Sequence, residues 1–361
     1  MFKALGRVIA SAILLVLTAL LASFARFAPD WFFSFYTDLS RRAAAFLGKI
    51  VGPIPFSVCE VLIFLLILWG IYTFINIFRR RKGLLAWLAG ILLAGCIALL
   101  LFTALWGLNH FGPDITETLG IEVELSTRDE LAEATNYYLD QANALASQMP
   151  RDADGVTTTP AFAELGKQTV AAYTALSARY DYFQTPAAPP KRVIAWYPMS
   201  KAGLTGIYLC FTGESCVNPD TFPAMLPFTM CHELAHSQAV ASEDGANFTA
   251  FLACTASDSA LLQYSAYFAA YIYCYNALNK VDQTAAADVW NRMNDGVKAD
   301  ILANNARYAK YEGAVRETAQ QLNDTYLKAF SEELGVESYG AVADDLVAWY
   351  KLQVAQPAAE G

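Results

Sequence analysis

The sequence predicts a membrane-anchored, mostly α-helical protein in which three N-terminal transmembrane helices precede an α+β domain with a small antiparallel sheet and many helices. The 361-residue chain is 55% hydrophobic and only 16% charged, whereas soluble domains usually carry about 25% charged residues. Its first 108 residues have a net charge of +7, and residues 109–361 have a net charge of −16. A basic, apolar part followed by an acidic part is typical of a membrane anchor joined to one globular domain.

The uncharged stretches of the anchor are Val8–Ala25, Val61–Phe78 and Gly83–Leu108. Each is long enough to cross a bilayer, where only a helix pairs every backbone polar group within one segment. They predict transmembrane helices over about residues 8–25, 57–78 and 84–108. For the first stretch a cleaved signal peptide is the alternative interpretation, because it follows basic residues and ends in small ones. The other two spans anchor the chain in either case.

The orientation of the anchor follows from the basic residues in its short loops. Residues 79–82, Arg-Arg-Arg-Lys, form the densest basic cluster of the chain and lie between the second and third spans. With this cluster in the cytoplasm, the N-terminus is also cytoplasmic and residues 109–361 lie outside. We therefore expect a multi-pass protein of the cell membrane with the lipid bilayer as a partner. The acidic outer domain argues against nucleic acid as another partner.

Helix signals are frequent in the outer domain. Thr127 and Glu130 fit a capping box that opens a helix to about Met149. Pro160 begins a second helix that reaches about Tyr180.

The middle of the domain is different in character. Two short stretches, 192–197 and 206–211, are rich in β-forming residues and predict the antiparallel sheet. From residue 227 to residue 353 most of the chain predicts helix, with breaks near Ala241, Asn279–Gln283 and Gly335.

Two of the three histidines of the chain fall in the run His232-Glu233-Leu234-Ala235-His236. Histidines four residues apart on a helix project from one face, close enough to hold one zinc ion. Glu233 is placed to reach a water molecule at such an ion and to accept its proton. The spacing therefore predicts a hydrolytic metal centre on a helix.

A hydrolytic zinc site needs a third protein ligand, and Glu243 is the candidate. Ser242 is a natural N-cap, which puts Glu243 in the first turn of a new helix. A break near Ala239–Ala241 lets that helix fold back toward the histidines. Asn247 lies one turn beyond Glu243 and can accept the N–H of a ligand histidine. The alternatives are a carboxylate favoured at a helix N-terminus and an ordinary polar surface residue.

This pattern, HELAH followed by Glu243-x-x-Ala246-Asn247-x-x-Ala250, resembles the HExxH…ExxA[D/N]xxA signature of gluzincin-type metallopeptidases. Similar signatures occur in the CAAX-processing and heat-shock membrane proteases and in antirepressor-cleaving peptidases. The resemblance implies a zincin-like fold, a peptide or protein substrate, and one Zn²⁺ per chain held by His232, His236 and Glu243. It also implies Glu233 as the catalytic base. Asn247 stands where the larger families have Asp.

A closer resemblance is to an uncharacterised bacterial family with N-terminal membrane spans. It rests on the HELAH run and on three further segments, Phe211-Thr212-Gly213-Glu214, Pro227-Phe228-Thr229 and Glu243-Asp244-x-Ala246-Asn247-Phe248. That family is known only as a domain of unknown function and supplies no substrate.

Two further features of a peptidase have candidates in the sequence. Zincin folds pair an extended peptide with a strand beside the active-site helix, and Gly206–Phe211 is the candidate strand. Tyr264, Tyr267 and His110 are candidates for the donor that stabilises an oxyanion. The alternatives are that the tyrosines belong to a core-facing helical stripe and that His110, directly after the third span, is interfacial.

Five of the seven cysteines follow the third span, and Cys210 and Cys216 flank a short turn. If the domain lies in an oxidising compartment, these two can form a disulfide. The alternative is a pair of free thiols, and the separation of the two residues decides between them.

Three functional hypotheses follow. The first is a membrane-anchored zinc metallopeptidase that hydrolyses peptide bonds outside the cytoplasm. The second is a catalytically idle descendant that binds zinc and acts as a partner-binding or sensor domain. Glu233 favours the first hypothesis, because a structural zinc site needs no base. The third is a transporter or channel, against which the absence of charged residues within the spans argues.

Overall fold

The computed structural model describes residues 2–80, 83–329 and 341–359. Within these ranges the chain is mostly helical, with fifteen α-helices and one three-stranded sheet. Arg81 and Lys82 of the predicted basic cluster and the predicted break at Gly335 lie outside the described residues.

The N-terminal part consists of four long helices, α1 (Phe2–Arg26), α2 (Asp30–Val51), α3 (Val58–Arg80) and α4 (Leu84–Leu105). Three candidate spans, Lys3–Arg26, Val58–Arg79 and Leu84–Leu105, are long and apolar enough to cross a membrane. They coincide with the three predicted stretches, although the last ends three residues earlier than predicted. A short 3₁₀ turn, Gly107–Phe111, follows α4.

Helix α2 was not predicted, because its sequence mixes charged and aromatic residues. It is amphipathic, and one of its faces is buried. The buried residues recur at helical spacing and are Phe33, Tyr36, Ser40, Ala44, Gly48 and Val51. Small residues on this face permit close packing, and a Cβ at Gly48 would lie 3.3 Å from the Gly213 carbonyl oxygen. Helix α2 therefore packs against the outer domain instead of forming an open loop.

The outer domain contributes the remaining eleven described helices. They are α5 (Ile115–Thr118), α6 (Arg128–Ala146), α7 (Phe162–Ser177), α8 (Trp196–Ala202), α9 (Leu226–Ser237), α10 (Glu243–Ala256), α11 (Ala260–Val281), α12 (Gln283–Asn291), α13 (Asp295–Ala309), α14 (Ala314–Ala329) and α15 (Ala341–Ala359). The capping box of Thr127 and Glu130 is present at the start of α6. The predicted break at Asn279–Gln283 is also confirmed, since Asp282 caps α12.

The sheet is mixed, which corrects the prediction of an antiparallel one. Its strands are β1 (Lys191–Arg192), β2 (Gly206–Leu209) and β3 (Glu214–Val217), in the order β1-β3-β2. Strand β2 pairs antiparallel with β3, whereas β1 pairs parallel with it. The predicted strand 192–197 is shorter because Pro198 has no N–H for a ladder and is tolerated in the first turn of α8.

A buried ion pair connects the sheet to the start of α3. Nζ of Lys191 lies 2.7 Å from Oε1 of Glu214, and both side chains are almost fully buried. The Glu214 carboxylate also accepts the backbone N–H groups of Val58 and Cys59, each at 2.9 Å. These are orphan donors at the first turn of a helix. One carboxylate therefore ties β3, the strand beside α9, to a candidate membrane helix.

Candidate metal centre

The HELAH run lies on α9, and the chain reverses immediately after it. The predicted break at Ala239–Ala241 is present, and Ala239 adopts a φ of 66° in the left-handed region. The side chain of Ser242 accepts the backbone N–H of Gly245 and caps α10, as predicted. Because α9 and α10 pack as an antiparallel pair, the first turn of α10 faces the last turn of α9.

The three predicted ligand residues converge. Nε2 of His232 lies 3.3 Å from Oε2 of Glu243, and Nε2 of His236 lies 4.0 Å from Oε1 of the same carboxylate. One ligand atom from each residue can be chosen so that all lie within 4.8 Å of one another. Among the described residues, His232, His236 and Glu243 therefore form a group that could hold a metal ion.

The other nitrogen of each imidazole has a hydrogen-bond acceptor. Nδ1 of His232 lies 2.9 Å from Oδ1 of Asn247, and Nδ1 of His236 lies 2.8 Å from the Val240 carbonyl oxygen. Tyr273 donates its hydroxyl to the same Asn247 oxygen at 3.1 Å. With both Nδ1–H groups donating, the Nε2 atoms, which face the Glu243 carboxylate, are the ring nitrogens that can bind a metal ion. The sequence predicted Asn247 here; Tyr273 gave no signal.

The donor set and its spacing fit zinc. Two imidazoles and one carboxylate form the catalytic His₂Glu set, which leaves a fourth position open. Zinc–ligand bonds of about 2.0–2.2 Å in a tetrahedron separate neighbouring ligand atoms by about 3.3–3.6 Å. The separations of 3.3 and 4.0 Å from Glu243 to the two histidines are close to this value.

The charges of the three residues are strongly coupled. Burial alone would lower the pKa of His232, but the hydrogen bond and charge of Glu243 outweigh it and raise that pKa to about 9. For Glu243, burial is likewise outweighed by His232, and its pKa falls to about 2. Burial and the neighbouring His232 lower the pKa of His236 to about 4. The carboxylate is therefore ionised, as a metal ligand must be.

Glu233 lies beside this cluster and is only 4% exposed. Its Oε2 atom accepts a hydrogen bond from no described residue. Burial raises its pKa to about 8, and that value suits a group that takes up and releases a proton near neutral pH. Ser215 of β3 donates to the Glu233 carbonyl at 2.7 Å and so fixes the backbone of this turn against the sheet.

A cavity of about 390 Å³ opens over the metal-binding cluster and Glu233. Strand β2 forms one wall with Gly206, Ile207 and Tyr208, and it is an edge strand of the sheet. Phe102 and Trp106, at the end of α4, line another part of the cavity, and the Trp106 ring contacts that of Tyr208. The remaining border carries His110, Asn323 and Tyr326.

Two polar side chains of the cavity, His110 and Tyr326, form a pair. Nε2 of His110 lies 2.9 Å from the Tyr326 hydroxyl oxygen. Burial lowers the pKa of His110 to about 3, so the imidazole is neutral. His110 was one of three predicted oxyanion donors. Tyr326 was not predicted, because it lies on α14, far along the chain from the motif.

The other two predicted donors, Tyr264 and Tyr267, are elsewhere, which corrects that prediction. Tyr264 is fully buried, and its hydroxyl donates to Oδ2 of Asp300 at 2.5 Å. Tyr267 packs against Tyr138 and Phe251 in the core. The helical stripe on α11 faces the core, as the alternative interpretation had it, and turns both tyrosines away from the cavity.

The structure also corrects the predicted disulfide, because Cys210 and Cys216 are free thiols. The register of the hairpin explains this result. Ile207 is opposite Cys216, and Leu209 is opposite Glu214. Cys210 is thus displaced from Cys216 by three positions along the ladder, about 10 Å at the usual rise per residue. Cys210 packs instead with Trp106 and Ala241.

The chain belongs to DUF3810, a family of proteins of unknown function, which it matches over residues 35–347. The match agrees with the resemblance to an uncharacterised family and includes most of α2, all of α3 and α4, and the metal-binding cluster. No curated protein and no solved structure matches the chain.

Proposed function

We propose that the protein is a membrane-anchored zinc metallopeptidase that hydrolyses peptide bonds outside the cytoplasm. The observation that carries this proposal is the convergence of His232, His236 and Glu243 beside a buried carboxylate, Glu233, at the floor of one cavity. A zinc ion bound by the three residues would polarise the substrate carbonyl and lower the pKa of a water molecule.

Each remaining step belongs to residues of the chain. Glu233 orients the attacking water and accepts one of its protons as the water oxygen bonds to the carbonyl carbon. It then passes that proton to the leaving nitrogen as the C–N bond breaks, which leaves one new amine and one new carboxylic acid that ionises in water. The free Oε2 of Glu233 is the atom available for this transfer.

The walls of the cavity suit an extended peptide. Strand β2 is paired on one side only, so its outer backbone groups can hydrogen-bond to a substrate strand. Tyr326, supported by the neutral His110, offers a hydroxyl donor for the oxyanion. The arrangement resembles that of gluzincin-type peptidases in its ligands, its base and its edge strand.

The idle zinc-binding descendant remains the second candidate. It retains the ligands but has no use for a buried carboxylate oxygen without a hydrogen-bond donor, because such an atom costs folding free energy. Oε2 of Glu233 has no donor among the described residues, which favours the enzyme.

The membrane part of the proposal rests on the three apolar helices and on the positive-inside rule. A reporter fused after Gln353 tests the orientation, and activity of the reporter in the cytoplasm would contradict it.

The activity is tested with the purified full-length chain and a mixture of unstructured peptides. We expect one zinc per chain, hydrolysis that ends on chelation, and recovery on adding zinc. His232→Ala and Glu243→Ala should each lose both the metal and the hydrolysis. Zinc binding without hydrolysis of any peptide would favour the idle descendant.

A further inference from the structure

The end of one candidate span forms part of the cavity wall. Helix α4 ends at Leu105, and the next residue, Trp106, is 8% exposed. Its indole Nε1–H donates to the carbonyl oxygen of His236 at 3.3 Å, and the two rings lie 5.8 Å apart. One tryptophan side chain therefore separates the end of the span from a candidate metal ligand.

The start of another span is hydrogen-bonded to the segment that leads into the β2 part of the cavity wall. Glu60, in the first turn of α3, accepts the backbone N–H groups of Ile194 and Ala195 at 2.8 and 2.9 Å. From there the chain runs through α8 into residues 203–208, which line the cavity. Consecutive spans run in opposite directions, so the start of α3 and the end of α4 leave the bilayer on the same side. Both parts of the cavity wall are thus attached at one membrane surface.

Residues 194–211, which run from the contact with Glu60 through α8 and β2, expose large apolar side chains. We call this set the apolar rim; it consists of Ile194, Trp196, Tyr197, Leu204, Ile207 and Phe211. Exposed clusters of this kind indicate an interaction surface, and Trp and Tyr are typical of the headgroup layer. The hydrogen bonds to Glu60 put the first residue of the rim, Ile194, beside the start of the span, which favours the bilayer surface as the partner of the rim.

These contacts bring the metal centre close to the lipid. The headgroup layer on each side of a bilayer is about 5–7 Å thick. An extended chain rises about 3.4 Å per residue, so a polypeptide leaving the membrane crosses this layer in about two residues. We propose that the substrates are membrane-anchored polypeptides, cut in the first few residues after their own membrane segment. This inference rests on the proposed function and names its substrate class.

Cut position is the sharpest test. The full-length protein is reconstituted with zinc in vesicles of phosphatidylcholine and phosphatidylglycerol. The probe is a single membrane helix followed by a long segment of random sequence, and the cut sites are mapped by mass spectrometry. We expect the cuts to be concentrated in the first few residues after the helix. Cuts spread evenly along the segment would overturn the inference.

Two control probes distinguish cleavage next to the membrane from cleavage of any segment that is merely anchored to the same vesicle. In one, a rigid proline-rich spacer holds the random segment away from the bilayer; in the other, the segment is free in solution. We expect both to be cut at least about tenfold more slowly than the directly anchored probe. Equal rates for the spaced or free segment would overturn the inference while leaving the peptidase intact. Failure of all three probes would overturn the proposed function itself.

A variant of the rim gives a second readout. Ile194→Ser with Tyr197→Ser should slow cleavage of the anchored probe several-fold and leave hydrolysis of the free segment unchanged. The matched control is Leu302→Ser, an equally exposed apolar position on α13. An equal loss with both probes would contradict a role of the rim in membrane contact.

Discussion

Gly206 and Glu233 are in direct contact at the surface of the cavity. A Cβ on Gly206 would lie 2.2 Å from Oε1 of Glu233. That distance is far inside van der Waals contact, so no other residue fits without moving the carboxylate. The contact therefore fixes the position of the Glu233 carboxylate, the proposed base, relative to the backbone of the edge strand β2. A substrate strand paired with β2 is positioned relative to Glu233 by the same contact.

We expect Gly206→Ala to displace the Glu233 carboxylate and to lower kcat by about 10²-fold, because the proton acceptor leaves its position. Zinc content should stay at one per chain, since Gly206 does not contact the ligands. Metal analysis and peptide hydrolysis of the same preparation check this prediction. The control is Gly6→Ala on α1, where an added Cβ would meet no atom within 4 Å. Gly203 and Gly120 are unsuitable as controls because both have a positive φ, which an alanine rarely adopts. Normal kcat in Gly206→Ala would contradict the importance of this contact.

Asn247 should set the affinity of the metal site through His232. Asn247→Ala removes the acceptor of the Nδ1–H, and losses of this kind weaken metal binding about 10–100-fold. Asn247→Asp keeps an oxygen at the same place and should retain most of the affinity. Competition with a chromophoric zinc chelator measures both variants. Equal weakening by Ala and by Asp would show that the amide group, not the oxygen, matters.

Tyr326 should act in the transition state. Removing one oxyanion donor typically costs about 10²–10³ in kcat, so Tyr326→Phe should lower kcat by that order and leave KM and zinc content nearly unchanged. Tyr264→Phe is the matched control. It removes a hydroxyl from the buried pair with Asp300, which should lower the stability by about 1.5–3 kcal/mol without changing kcat. A normal kcat in Tyr326→Phe would remove Tyr326 from the mechanism.

Asp345 on α15 should make the domain less stable at alkaline pH. Burial, together with the nearby Asp244, Asp114 and Asp344, raises the pKa of Asp345 to about 8. A raised folded-state pKa means that stability is fully present below the unfolded-state pKa and is lost as the pH rises toward the folded-state value. Asp345→Asn cannot ionise, so this part of the loss should disappear.

Thermal melts in the presence of EDTA, which keeps the metal site empty in both proteins, measure the effect. We expect the variant to melt several degrees above the wild type at about pH 9 and close to it at about pH 4. A constant difference across this range would contradict the assignment to Asp345.

The parts of the site that the sequence could predict are those encoded locally. His232, His236, Glu243 and Asn247 lie within sixteen residues, and helix periodicity with one N-cap is enough to bring them together. Trp106 and Tyr326 reach the same cavity from α4 and α14, which no local pattern connects to α9. Their placement depends on tertiary packing.

The fold shows the same division. The three apolar helices and the capped helix α6 follow from composition and from caps. Helix α2 was missed because its sequence mixes charged and aromatic residues and because half of its buried face consists of the small residues Ser40, Ala44 and Gly48. Strand β1 has only two residues and pairs parallel with β3, which requires a long connection that sequence spacing does not reveal.

The central claim, that Glu233 is the base of a zinc peptidase, is tested most directly by Glu233→Gln in the full-length protein. The glutamine keeps the size of the side chain and can still hydrogen-bond to water, but it cannot accept a proton. We predict one zinc per chain in both proteins and a loss of peptide hydrolysis of about 10²–10⁴-fold in the variant. Equal hydrolysis by the two zinc-loaded proteins would contradict the claim.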